Sequence, residues 1–267
     1  MTVINTGPET IKSLLAIMSR LRDPDAGCPW DLQQDFKSIA PYTLEEAYEV
    51  VDALESNVPE ALQEELGDLL FQIVFHSQLA SEAGWFDFND VVAGISNKML
   101  RRHPHVFSGA VVADVAEQTR AWERHKQREK GSQESLLDGV PAALPALTRA
   151  DKLQKKAARA GFDWPVIADV FAKVEEELGE LRHEIENGGN QDAVLDEAGD
   201  VLFAVVNLVR FAGIDPESAL RHGNRKFTRR FKHVEVACKD AGVEMAATEL
   251  EQLTGYWEQA KAAEKTS

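Results

Sequence analysis

An acidic signature that ends in an apolar run occurs twice in this chain, and the repetition constrains the fold more than any other feature. Residues 44–75 read LEEAYEVVDALESNVPEALQEELGDLLFQIVF, and from Val174 the chain reads VEEELGELRHEIENGGNQDAVLDEAGDVLFAVVNLV. Glu176, Glu177 and Glu180 repeat Glu45, Glu46 and Glu49, while Glu197 and Asp200 repeat Glu65 and Asp68. Other landmarks keep the same order. AGCPWD carries Trp30 and AGFDWP carries Trp164. NKMLRRHPHV aligns with RKFTRRFKHV, pairing Lys98 with Lys226 and Arg102 with Arg230. WERHK aligns with WEQAK, pairing Trp122 with Trp257 and Lys126 with Lys261. The offsets run from 128 (Lys98 to Lys226) to 135 (Trp122 to Trp257). So many landmarks in one order mark a duplicated domain. The expected division is an N-terminal helical domain at 1–130, a linker at 131–145 where Gly, Ser and Pro concentrate, and a C-terminal helical domain at 146–267.

The periodicity is helical throughout. Ile11, Leu14, Leu15, Met18 and Leu21 fall on one helix face. VVAGISNKML and ALRHGNRKFTRRFKHVEVA behave alike, and no run alternates strictly as a strand would. The expectation is an all-α protein, with four or five helices in each copy.

On a helix, residues three or four apart share a face. Glu46 and Glu49 therefore point one way, as do Glu65 and Asp68, and the second copy does the same with Glu177, Glu180, Glu197 and Asp200. Stacked like charges repel, and two such helices facing each other bring four carboxylates together unless a cation neutralises them. An all-oxygen ligand set selects a hard cation, Mg²⁺ or Mn²⁺. An acidic face on a single helix is usually a solvated surface, but the same register in both halves points to a site. A dinuclear iron bundle would use Glu-x-x-His; these pairs are Glu-x-x-Glu and Glu-x-x-Asp, and His76 has Leu208 at the matching place. Gly67 and Gly199 lie inside these helices, where glycine costs roughly 1 kcal/mol against alanine. The expected reason is close approach by a neighbouring helix or a ligand.

The chain has 267 residues and a net charge of −16, from 29 basic and 45 acidic residues. Such a balance repels a nucleic-acid backbone. A small polyphosphate can bind only where a metal or local cations reverse the sign. Lys226 and Arg230, four apart, supply such cations, and so does Lys261, four residues after Trp257. A tryptophan ring stacks on any base. The two cysteines, Cys28 and Cys238, form no disulfide framework and suit a reducing cytoplasm. No apolar run approaches the roughly 20 residues of a membrane span.

With these residues in hand, the sequence resembles the MazG family of the all-α NTP pyrophosphatase superfamily, marked by E-E-x-x-E followed by E-x-x-D. The motif stands here as EEAYE…EELGD and EELGE…DEAGD. GCPWD, RRHPHVF, GFDW and KFTRRF extend the likeness over nearly the whole chain. The resemblance implies hydrolysis of the α–β phosphoanhydride of NTPs and dNTPs to a nucleoside monophosphate and pyrophosphate, with Mg²⁺, broad base tolerance and a homodimer. Carried over by motif position, it implies metal ligands at Glu177, Glu180, Glu197 and Asp200, with Glu176 beside them to orient water. It implies nucleotide contacts at Lys173, Lys226, Arg230, Trp257 and Lys261. The first half matches with Glu46, Glu49, Glu65, Asp68, Lys98, Arg102, Trp122 and Lys126, and forms a possible second metal site. There Tyr42 replaces Lys173, so the first copy is one cation short and the second is expected to be the main catalytic one. Two rivals stay open: a narrower pyrophosphatase for dUTP or a modified nucleotide, and a metal-binding bundle that senses nucleotide without cleaving it.

Overall fold

A computed structural model describes residues 10–108 and 135–265. Trp122, Lys126 and the first four linker residues lie outside the described residues. The chain divides into two units, Met1–Glu129 and Lys130–Ser267. The described residues are all-α and contain no strand. None of their helices is long and apolar enough to cross a membrane.

In the first unit, α1 (Ile11–Leu21), a single turn α2 (Pro29–Leu32), α3 (Phe36–Ser56), α4 (Pro59–Glu82), α5 (Phe88–Arg102) and the single turn α6 (Pro104–Phe107) follow one another. The long pair α3 and α4 packs side by side and carries the acidic motif. Asp35 caps α3, its carboxylate accepting from the backbone N–H groups of Lys37 and Ser38 at 2.8 Å each. Asn57 ends α3 in the left-handed region at φ 55°, and Pro59 opens α4 at a position where its missing N–H is no loss. The chain reverses in these few residues, which sets the two acidic segments against each other.

The core of this unit is the apolar continuation of α4. Val74 and Phe75 bury completely against Met18 of α1 and Ile39 of α3, with Phe36, Phe71 and Phe88 around them. Arg22 closes one end, pairing with Glu82 at 2.6 Å and lying 5.5 Å above the Phe75 ring. Each apolar residue after Gly67–Asp68 thus anchors the helix that presents the acids.

The second unit repeats the long pair as α8 (Ile167–Glu186) and α9 (Gln191–Phe211), preceded by α7 (Ala146–Arg159) and followed by α10 (Pro216–Asp240) and α11 (Leu250–Lys265). Gly188, at φ 70°, makes the turn, and Asn190 caps α9 through the backbone N–H of Ala193 at 2.9 Å. α10 and α11 pack against each other. α7 is unusual in that it buries two polar residues one turn apart, Asp151 and Gln154. Asp151 is held by Lys155 at 2.8 Å. Amphipathic helices normally bury an apolar stripe, so a buried polar stripe here calls for a reason other than packing.

Phe75 fills the first unit's core so completely that Phe75→Ala should destabilise it by about 3–5 kcal/mol, read as an earlier transition in urea monitored by far-UV circular dichroism.

Candidate active site

The facing helices α8 and α9 bring together what the sequence separates. Glu177, Glu197 and Asp200 have carboxylate oxygens all within 4.8 Å of one another. Glu180, one turn after Glu177, feels its charge and that of Glu197. Partial loss of hydration, then repulsion from Glu177, pushes the Glu180 carboxyl above its ordinary value. The first unit repeats this with Glu46, Glu49 and Glu65. Glu46 is raised by lost hydration and by the charges of Glu49 and Asp68. Glu65 is raised by lost hydration and by Glu49, Glu64 and Asp68. Each unit therefore holds three converging carboxylates, with Asp68 in the first and Glu180 in the second close enough to add repulsion but outside the group. Its donor chemistry and spacing fit a hard divalent cation.

The two sites differ in what stands beside the acids. In the second unit Lys173, one turn before Glu177, pairs with it at 2.7 Å and with Glu176 at 2.9 Å. These bonds, to Glu177 first and Glu176 second, raise the ammonium well above its usual range, so it stays charged. Glu177 is only 5% exposed, whereas Glu176 projects outward. In the first unit Tyr42 stands in place of Lys173 and packs edge-on against Trp30, their centroids 6.0 Å apart. His76 accepts or donates a hydrogen bond with Thr43 at 2.9 Å and stacks on Phe36. It is a packed side chain and not part of the acidic group.

Lys173, Glu177 and Asp200 form one end of a cavity of about 580 Å³. Its other walls come from α7, the 161–164 turn and the next two turns of α9. Gln154, Asp163, Asn207 and Arg210 line it, and none of them was singled out in the sequence. Trp164 lines it too. The one available signal was the comparison of the copies. GDVLFAVVN breaks its apolar run with Asn207 where GDLLFQIVF keeps Phe75.

Of the expected nucleotide contacts, Lys173 lines this cavity, but Lys226, Arg230, Trp257 and Lys261 do not. They gather on the α10–α11 pair. The Arg230 guanidinium lies 5.7 Å from the Trp257 ring centre and bonds Glu264 at 2.7 and 2.9 Å. Phe227 packs on Trp257 as well, their ring centroids 5.4 Å apart. Lys261 pairs with Glu258 at 2.8 Å. In the first unit, Lys98 and Arg102 share α5.

The expectation for Gly67 and Gly199 needs correction in part. A methyl group placed on either glycine meets no other atom within 4 Å. Among the described residues, then, no neighbouring helix explains these glycines. They leave the helix surface bare beside the acids.

The MazG nucleotide pyrophosphohydrolase domain matches residues 34–107 and 168–235, once in each copy. The chain belongs to the MazG family. It is 49% identical over 254 residues to the Escherichia coli (strain K12) nucleoside triphosphate pyrophosphohydrolase, covering 94% of this chain and 97% of that one. It is 40% identical over 256 residues to the Thermotoga maritima nucleoside triphosphate pyrophosphohydrolase/pyrophosphatase MazG, covering 96% and 97%. A crystal structure of a mazG-related protein from Thermotoga maritima aligns with 43% of this chain and 98% of that one, at 25% identity and a TM-score of 0.38. Both acidic hairpins fall inside the matched segments, and membership makes the chain one of a pyrophosphohydrolase family.

The raised Glu180 carboxyl has a sign that can be checked. A carboxyl held above its ordinary 4.5 binds its proton more readily folded than unfolded, so its charge weakens the fold at neutral pH and has no effect in acid. Without divalent cations, Glu180→Gln should melt at a higher temperature than the wild type at pH 7–8. That gain should shrink as the pH falls through the raised value and vanish below about 4. Calorimetric scans at a series of pH values in chelator measure it.

Proposed function

We propose that the second unit hydrolyses nucleoside triphosphates at the α–β phosphoanhydride, releasing a nucleoside monophosphate and pyrophosphate. The observation that carries the reading is a cavity walled at one end by Lys173, Glu177 and Asp200, with Glu197 within 4.8 Å of both acids. Glu177, Glu180, Glu197 and Asp200 would hold Mg²⁺, or Mn²⁺ in its place. When bound, such an ion supplies a Lewis acid at phosphorus and a more acidic water. Glu177 is buried and pinned by Lys173, so its carboxylate meets the ligand without rearranging. Lys173 stays protonated beside the phosphates and offsets the charge that develops on the leaving pyrophosphate. Glu176, bonded to Lys173 at 2.9 Å, is suited to orienting the attacking water. Positioning and electrostatics do most of this chemistry, as in other phosphoryl transfers.

We assign broad base acceptance to the cavity walls. Leu153, Trp164 and Phe203 offer apolar and aromatic surface that holds a purine or a pyrimidine by area. Lys226, Arg230 and Lys261 are proposed as further phosphate contacts on α10–α11, with Trp257 as their stacking partner. The first unit keeps its four acids without the lysine, which supports metal binding there and weaker turnover or none.

A homodimer is supported by an apolar stripe on the same hairpin. Phe171, Leu178 and Ile185 on α8, and Leu195 and Leu202 on α9, recur every seven residues and are 47–67% exposed. Seven-residue spacing is the seam by which helices of separate chains pack. A cytoplasmic setting fits the two free cysteines.

Incubation with ATP and Mg²⁺ should give AMP and pyrophosphate by ion-exchange chromatography; ADP and phosphate would refute the cleavage site. Glu177→Gln should lower kcat by about a thousandfold or more, because it removes a ligand and strands Lys173. Glu46→Gln should leave most of the rate. Equal losses from the two substitutions would mean that the sites share the work. The paired change Leu178→Glu with Leu202→Glu should halve the mass in light scattering if the stripe is the dimer seam.

A further inference from the structure

One carboxylate on α11 takes up two arginines of α10 at once. Glu264 Oε1 accepts from Arg229 Nε at 2.7 Å, and its Oε2 accepts from Arg230 Nε and Nη2 at 2.9 and 2.7 Å. The edge that Arg230 turns to Glu264 is the fork an arginine offers to a phosphate. Arg230 is the better covered of the two, its side chain 18% exposed against 60% for Arg229. Its guanidinium lies 5.7 Å from the Trp257 ring centre, and Trp257 packs on Phe227. A guanidinium so placed is costly to leave unpaired, and Glu264 is its partner within the chain.

The position of Glu264 follows from the helix. Trp257, Lys261 and Glu264 stand at i, i+4 and i+7 on α11, which puts them in one row. The row is about 10 Å long. The acid therefore shares a face with the groups proposed to meet the triphosphate. A pair needed only to tie α11 to α10 could stand anywhere along the two helices. The first copy repeats the pattern in sequence, with Arg101 and Arg102 followed by Trp122, Lys126 and Glu129, and both copies read W-E-x-x-K-x-x-E. Recurrence of the acid in register with the lysine and the tryptophan ties it to their task.

We propose that Glu264 is an internal competitor for substrate phosphate: its carboxylate holds the Arg230 fork until a polyphosphate displaces it, and the cost of that displacement sets the KM for nucleoside triphosphates. The inference rests on the proposed phosphate role of Arg230. Every ligand that takes Arg230 meets the same penalty, so the acid lowers affinity without selecting among bases. A phosphate carries more charge than a carboxylate and gains more from the guanidinium, which lets the triphosphate prevail in the exchange. Arg229 eases the exchange from the other side. When Arg230 turns to a phosphate, Arg229 keeps Glu264 compensated.

The test is steady-state kinetics with ATP and Mg²⁺ on the full chain. KM does not depend on how much of a sample is folded. Glu264→Gln keeps the size of the side chain and removes its charge, and KM should fall by about three- to tenfold. Glu251→Gln, about 20 Å away along α11, removes an exposed charge of the same sign and should move KM by less than about twofold. Arg229→Met should raise KM, and should do so far less in the Glu264→Gln background, because Arg229 acts here through Glu264. A pair that only joins the helices predicts an unchanged or higher KM in Glu264→Gln. That result, with Arg230→Met raising KM by about tenfold or more, overturns the competitor and keeps the phosphate contact. Equal falls in Glu264→Gln and Glu251→Gln overturn it as well, as an effect of net charge. An unaltered KM in Arg230→Met overturns the phosphate role of Arg230 and the inference with it.

Discussion

Repulsion between carboxylates is the constraint around which this molecule is organised. Glu177, Glu197 and Asp200 converge across a single helical hairpin, and Glu180 beside them is repelled by Glu177 and Glu197. They are held by the continuation of the same helices. Ala204 and Val206, one to two turns after Asp200, are buried, and Val170 is buried two turns before Glu177. The apolar run that follows Gly-Asp in each copy is therefore the mechanical support of the acids before it. Burial of a methylene contributes about 0.8 kcal/mol, so a few buried branched side chains outweigh like-charge terms of a few tenths per exposed pair. A carboxylate cluster of this kind is a site waiting for positive charge, and Lys173 supplies the first of it.

Duplication makes the molecule its own comparison. Two copies of one hairpin share the acids, the glycine before the aspartate and the turn that reverses the chain. They part at Lys173 against Tyr42 and at Asn207 against Phe75. Both differences change the same thing, the polarity of the space that begins at the acids. In the first copy that space is apolar and filled, with Phe75 under Arg22 and beside Met18. In the second it is a cavity whose largely apolar wall carries Gln154, Asn207 and Arg210. The fold tolerates either solution.

How much could be read from the chain alone follows from the range of the forces involved. The helices were legible because their apolar periodicity is local, and the acidic quartets were legible because spacings of three and four mean proximity on any helix. The pairing of α3 with α4 and of α8 with α9 followed from the short break between two like-charged faces. Gln154 was illegible. Nothing in ALTRADKLQKKAAR marks the glutamine until α7 is laid against α9 and its amide meets the Phe203 carbonyl. Asn207 was visible only as an interruption in an apolar run, and its committed orientation depends on Arg210 and on Asp163 from a turn 47 residues away in sequence. The bare helix surface at Gly67 and Gly199 was misjudged in part for the same reason: an intrahelical glycine is evident in sequence, but what stands opposite it is not.

The cations on α10 and α11 carry the electrostatic reasoning one step further. Arg229 and Arg230 both bond Glu264, whose carboxyl is held below its ordinary range by Arg230 first and then by Arg229. Lys261 is balanced by Glu258. These groups are thus neutralised within the hairpin, which is consistent with a net charge of −16 and with little attraction for a nucleic-acid backbone. A triphosphate would have to exchange with Glu264 for Arg230, giving up a charge-assisted pair for one of higher charge density. Lys173 faces the same exchange, since Glu177 and Glu176 already hold it. A cation bound to Glu177 would weaken its hold on Lys173 and leave the ammonium to the phosphates. Metal and polyphosphate would therefore bind most favourably together, each relieving a charge that the other leaves uncompensated.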